Sequence, residues 1–372
     1  MELDAGRRTA ACADLQAEVD SLALPVIERG ETPGIAVGVL SRDGRTHFFG
    51  YGVKERGGAR PDADTLFPIG SVSKGFLGAL TALLVGEGVL SWEDSLGSLL
   101  PDVALSRDAR KITVLQLATH TSGLPRQPNT LRTVRYFIEY LFTGNSFYRH
   151  FDRGFALAYL AEFKPEEELE VIYSSLGYGI LAYVIERRTG QSLEALMQQR
   201  ILGPLQLKST GYSPEVLPGY AARAHGYAGD HPMFMPRGAP VPDWQFTELM
   251  KGAAAIHSSA RDLLAFAAAH FDSSDAKLRA ALKDTLQVRL ARPEQSAAVA
   301  WVVDDIDGQR IAYQVGLVAG YATYLGLDAE RRTAVVVLQN SFNWNFRIGH
   351  QLLVRLARAD CTQRTLEPAK KS

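Results

Sequence analysis

Cysteine is almost absent from this chain: two in 372 residues, Cys12 and Cys361, near opposite ends. Such a pair is no disulfide framework, and neither has the neighbours of a zinc site. Long apolar runs are also missing, none reaching the ~20 residues that a membrane-spanning helix needs. Charge of one sign is lacking too: 40 basic against 41 acidic residues leave a net −1. That gives no electrostatic footprint for nucleic acid or an anionic membrane. The eight histidines show no H-x-x-x-H spacing, so neither a metal nor another cofactor is expected. The first residues lack the basic-then-apolar pattern of an export signal. The chain reads as cytoplasmic as written, and as periplasmic or secreted if a leader was trimmed from it.

What is present is an ordinary globular composition, 46% hydrophobic and 22% charged. The length suits one large domain or two intimate ones. Strand patterns occupy residues 34–40 and 46–51, joined through Arg42-Asp43-Gly44. Helical patterns then dominate near 71–86, 113–119, 131–142, 153–162, 176–189 and 192–199. Residues 212–245 are rich in Pro and Gly, an irregular excursion of the kind that borders a site. A helix follows at 260–271, then strands at 299–304, 310–315, 321–327 and 333–339, and a last helix near 346–359. Strands at both ends around a helical block predict an α+β fold: one antiparallel sheet flanked by helices, formed by both chain ends, with an inserted helical domain. The expected division is 1–70 plus 246–372 for the sheet and 71–245 for the insert, the active site lying between them. Terminal helices on one sheet face would bring Cys12 and Cys361 close enough to bridge in an oxidising compartment.

Residues 67–77 read Phe-Pro-Ile-Gly-Ser-Val-Ser-Lys-Gly-Phe-Leu. An extended segment turns at Gly70 and enters an apolar helix whose first turn carries Ser71 and Lys74. Three residues apart on a helix is one face, and a helix N-terminus offers free N–H groups to an anion. A nucleophile, a base and an oxyanion site can share that turn. Ser274 and Lys277 repeat the spacing in a polar stretch, where a surface helix cap is the simpler reading. His120, beside Thr121 and Ser122, reads as a loop histidine bonded to backbone, and Gly50-Tyr51-Gly52 as a strand end.

Two further segments point the same way. Residues 171–178 read Val-Ile-Tyr-Ser-Ser-Leu-Gly-Tyr, and residues 313–321 read Tyr-Gln-Val-Gly-Leu-Val-Ala-Gly-Tyr. With the Ser71 run they are similar in order and separation to the three signature elements of serine β-lactamases and penicillin-binding proteins. Within that superfamily the chain resembles the class C β-lactamases, related penicillin-binding peptidases and family VIII carboxylesterases, from about residue 25 to 358. Leu115-Gln-Leu-Ala-Thr-His-Thr-Ser-Gly-Leu-Pro-Arg-Gln127 and Val335-Val-Val-Leu-Gln-Asn340 agree. The resemblance implies Ser71 as acylated nucleophile, Lys74 as proton acceptor or relay, and Tyr173 as general base. It puts the oxyanion hole at the backbone N–H groups of Ser71 and Leu317, after Gly316. It also implies that Gln127 contacts the substrate's amide side chain.

This chain departs from the pattern at two places. Ser175 stands where the family usually has Asn, and Gln314 where it has Lys, His or Trp. A neutral Gln314 forgoes a charge-assisted hydrogen bond of about 1.5–3 kcal/mol to a substrate carboxylate. The expectation is therefore a metal-free serine hydrolase working through an acyl-enzyme on small-molecule esters, or amides without a carboxylate near the scissile bond. Arg347 and Asn345 are candidates for restoring a cation and a polar rim. The alternatives are a β-lactamase or D-amino-acid peptidase acting on peptidoglycan-like substrates, an acyltransferase, and a catalytically weak homologue with a binding role.

Overall fold

Apolar, β-branched runs from the two ends of the chain meet in one sheet. The computed structural model describes residues 15–165 and 171–358. Cys12, Cys361 and the expected bridge between them lie outside the described residues. The chain opens with α1 (Leu15–Glu28), β1 (Gly34–Leu40), β2 (Thr46–Gly52) and the short β3 (Phe67–Pro68). Helices α2 (Ser73–Gly86), α3 (Leu96–Leu99), α4 (Val114–Ala118), α5 (Leu131–Thr143), α6 (Arg153–Glu162), α7 (Ser175–Thr189), α8 (Leu193–Met197) and α9 (Lys251–Ala254) follow. Then come β4 (His257–Ser258), α10 (Ala260–Ala269) and α11 (Ala276–Thr285). The chain ends with β5 (Ser296–Ala297), β6 (Val302–Ile306), β7 (Gln309–Val318), β8 (Tyr321–Asp328), β9 (Thr333–Gln339) and α12 (Arg347–Arg358).

The large sheet has the order β2-β1-β9-β8-β7-β6-β5, with every neighbouring pair antiparallel. β1 lies beside β9, Ile35 opposite Gln339 and Leu40 opposite Ala334. Both strands are buried at every position, which is why their sequences run continuously apolar instead of alternating. Val37, Val39, Val335 and Val337 pack under α1 and α12. Ala36, Val336 and Leu338 face the other way, into a core shared with α2, α7 and α10. Arg355 donates to Glu18 (2.8 Å) and Asn345 to Glu31 (3.2 Å). The start of α1 therefore meets the end of α12, and the terminal helices run antiparallel on one face. The larger core crosses residues 70/71 and 245/246 without a break, so a domain boundary at those points is a proposal about chain layout.

Several local expectations shift. The strand expected at 299–304 starts at Val302, because the chain bends at Ala300 (φ 67°) and Val299 and Ala300 donate to Thr285 and Ala118. The residues around Ser274 do open a helix, but its cap is Asp275, which accepts from Lys277 N and Leu278 N. Gly190 ends α7 in a left-handed conformation, as a C-terminal glycine should.

Asn340, fully buried, ties three strands at one point. Its Oδ1 accepts from Gly34 N at 2.7 Å, and its Nδ2 donates to the carbonyls of Val53 and Lys54. Asn340→Ala strands these buried groups, and a loss of about 3 kcal/mol is expected from urea denaturation.

Candidate active site

β3 pairs with β4, Phe67 opposite Ser258 and Pro68 opposite His257, and this clip holds the turn that follows. Gly70 adopts φ +54°, and Ser71 sits in a 3₁₀ turn, Gly70–Val72, just before α2. The expected helix thus begins two residues after Ser71. Lys74, in the first turn of α2, is 2% exposed. Its Nζ lies 3.0 Å from Ser71 Oγ, 3.4 Å from Ser175 Oγ and 2.8 Å from the Ala253 carbonyl. Ala253 is delivered by α9, which leads into β4, and Ile256 N donates to Ser73 Oγ.

The Tyr173 segment is clamped by the loop after α4. Ile172 N donates to the His120 carbonyl, Ser174 N to His120 Nδ1 at 3.0 Å, and Leu176 N to the Arg126 carbonyl. Ser174 caps α7 by accepting from Gly177 N, and donates to the Pro125 carbonyl. The His120 ring packs 4.5 Å from that of Tyr173. The Tyr173 hydroxyl is within hydrogen-bonding reach of Ser71, and Lys74 Nζ lies 4.9 Å from its ring centre.

β7 completes the arrangement. A Cβ on Gly316 would fall 2.0 Å from the Ile69 carbonyl and 3.2 Å from Ser71 N; one on Gly70 would fall 2.9 Å from Leu317 N. Glycine at both positions lets the strand touch the turn. The N–H groups of Ser71 and Leu317 are thereby brought to one place. Gln314 points from the same strand to Gly75 of α2, 5% exposed, and neither of its amide atoms has a partner.

The model of the Beta-lactamase family matches residues 19–359. The chain belongs to that family. It is 31% identical over 225 residues to a beta-lactamase of Pseudomonas fluorescens, covering 58% of this chain and 56% of that protein. Penicillin-binding protein 4 of Amycolatopsis lactamdurans is 31% identical over 246 residues, covering 64% and 60%. The chain thus spans about half the length of the curated relatives it matches first. The crystal structure of a beta-lactamase/D-alanine carboxypeptidase from Pseudomonas syringae superposes with a TM-score of 0.76 at 23% identity, over 96% of this chain and 100% of that one. It shares the fold.

In this Beta-lactamase-family chain the electrostatics separate the two base candidates. Burial, reinforced by Arg126, pulls the Lys74 ammonium down to about 7. The Tyr173 ring is exposed at the mouth of the site, while desolvation of its hydroxyl holds the phenol above the ordinary 10.0, with Arg126 and Ser71 pulling the other way. Tyr173, expected as the general base, is thus a protonated phenol near neutrality in the resting site, and no cation stands at 314 to lower it. His120 is pulled down to about 3 by burial and by Lys74, so it stays a neutral acceptor for Ser174 N–H.

A cavity of about 220 Å³ opens beside Ser71. Gln127 lines it with a buried Oε1 that has no partner, and Leu317 lies on its wall. Gly316 packs on the Ile69–Ser71 turn and Gln314 on α2; neither appears among the lining residues. Ser175 touches Lys74 instead of the cavity. Asn345 and Arg347 line an adjoining cleft with Arg29, Glu31 and Asp230, which shares Trp344 with the cavity beside Ser71. The sequence reading missed Arg126 and the aromatic walls, Phe137, Tyr140, Tyr148, Trp244 and Trp344. Of these, only Trp244 lies in the Pro-rich excursion whose composition points to the border of a site.

Lys74 has its folded value below the unfolded 10.5. The native state therefore binds fewer protons than the unfolded one between about 7 and 10.5, and stability rises with pH across that window. Lysine-selective NMR is expected to show Lys74 Nζ titrating near 7, and Lys74→Met is expected to flatten the pH dependence of the denaturation midpoint.

Proposed function

We propose that the protein is a serine hydrolase that works through an acyl-enzyme. The observation that carries this reading is the buried Lys74 Nζ 3.0 Å from Ser71 Oγ, its ammonium depressed to about 7. A neutral amine has two N–H donors and one lone pair. Ala253 O and Ser175 Oγ accept the donors, and the lone pair is left for the Ser71 hydroxyl. Ser71 Oγ gives its proton to Lys74 and attacks the acyl carbon. The oxyanion develops between the N–H groups of Ser71 and Leu317. The phenol of Tyr173 donates a proton to the departing alcohol or amine and is refilled from Lys74. Water then takes the acyl group by the same route reversed, releasing the acid and free Ser71.

The aromatic cavity favours substrates with a flat or bulky apolar group. Gln127 Oε1, an acceptor without a partner, suits an amide N–H on the acyl side. On the β7 side, Gln314 offers no cation, so substrates that need a carboxylate held there, penicillins included, are expected to turn over weakly. A second reading, lactam or D-amino-acid peptide hydrolysis, is favoured by the names of the relatives from Pseudomonas fluorescens and Pseudomonas syringae.

A fluorophosphonate is expected to add to the wild type and not to Ser71→Ala, as read by intact mass; no adduct would leave a binding role as the better account. A lasting penicillin adduct would favour the second reading. The acylation rate should rise with pH through about 7 and then stay level, because Lys74 must be neutral and Tyr173, its phenol held above the ordinary value, stays protonated. Lys74→Ala is expected to lower ester turnover about 10³-fold. Tyr173→Phe should cost amide substrates far more than p-nitrophenyl esters, whose phenolate leaves without a proton.

A further inference from the structure

The cavity beside Ser71 holds a positive charge that the acylation steps do not use. Arg126 lines it, and among the described residues no carboxylate pairs with this guanidinium and no acidic side chain lines the cavity. Its carbon lies 5.6 Å from the centre of the Tyr173 ring, and its nitrogens are within hydrogen-bonding reach of the Tyr148 hydroxyl. One ring face and one hydroxyl leave most of its five N–H donors free. Arg126 keeps contact with solvent at the mouth of the cavity, so an anion can reach these donors there, beside the rings that line the wall. Nothing on β7 competes for that anion, since Gln314 is neutral and packed on Gly75.

We propose that Arg126 is the anion-recognising residue of this site, and that the compounds bound here combine a carboxylate with a flat apolar group. The guanidinium takes the carboxylate through two parallel N–H···O bonds. Phe137, Tyr140, Phe147 and Trp244 pack on the apolar group. This deepens the hydrolase reading and rests on the same cavity being the acyl-donor site. The carboxylate is held from the wall that carries Gln127 and Tyr148, away from β7, so a substrate rejected for lack of a cation at 314 differs from one accepted at Arg126.

The test is calorimetric titration of Ser71→Ala protein at pH 8, where Lys74 is mostly neutral, with 3-phenylpropionate and its uncharged amide. The acid is expected to bind at least about tenfold tighter than the amide. Arg126→Met should bring that ratio close to one. Arg126→Lys, which keeps the charge and loses the fork, should retain part of it. Equal binding of acid and amide, no binding of the acid at millimolar concentration, or a preference that survives Arg126→Met overturns the proposal. If Arg126→Met fails to fold by circular dichroism, an unchanged ratio in Arg126→Lys overturns the bidentate contact. The hydrolase reading fails separately, by fluorophosphonate labelling or ester turnover indifferent to Ser71, because binding to Ser71→Ala needs no nucleophile.

Discussion

The burial of one ammonium organises this molecule. Lys74 lies 2% exposed in the first turn of an apolar helix, where an unpaired charge would be too costly to keep. Its surroundings resolve the conflict in two ways. They provide oxygen acceptors from three separate segments, Ser71, Ser175 and Ala253. They also make the neutral form easy to reach, by burial and by the nearby Arg126. A lysine that can be a free amine near pH 7, beside a serine hydroxyl, is a base already in place.

Much of the fold serves to bring those three segments together. The β3–β4 clip fixes the turn holding Ser71 and places Ala253 behind Lys74. The His120 loop grips residues 172–176 through four hydrogen bonds, setting Tyr173 and Ser175 in position. β7 touches the turn through two glycines, Gly70 and Gly316. Its neighbours β8 and β6 hold it in register, and through β8 and β9 it belongs to the same sheet as β1 from the other end of the chain.

Most of the architecture was legible because it follows local rules. The apolar runs of β1 and β9, the Arg42-Asp43-Gly44 turn and the glycine stop at 190 each declare themselves within a few residues. α11 showed only as a surface cap near Ser274, with its exact capping residue unread, and the bend at Ala300 depends on carbonyls of α4 and α11 that are distant in sequence. At the site, the Ser71, Tyr173 and Gly316 segments were recognisable as motifs. Asn345 and Arg347 fall in the adjoining cleft, a placement that closeness in sequence to β9 does not reveal.

Sequence alone brought Ser71 and Lys74 together and predicted the sheet built from both termini, because spacing along a helix and apolar periodicity are local properties. It also determined that position 314 carries no charge. Only the tertiary structure shows Lys74 buried against Ser71 and Ala253, and the direction of a pKa shift depends on what surrounds the side chain. Desolvation lowers Lys74 and raises Tyr173. The same holds for the cavity's character. Arg126 and its aromatic neighbours are scattered between residues 126 and 344 and become one surface only when the helices and the sheet are packed together.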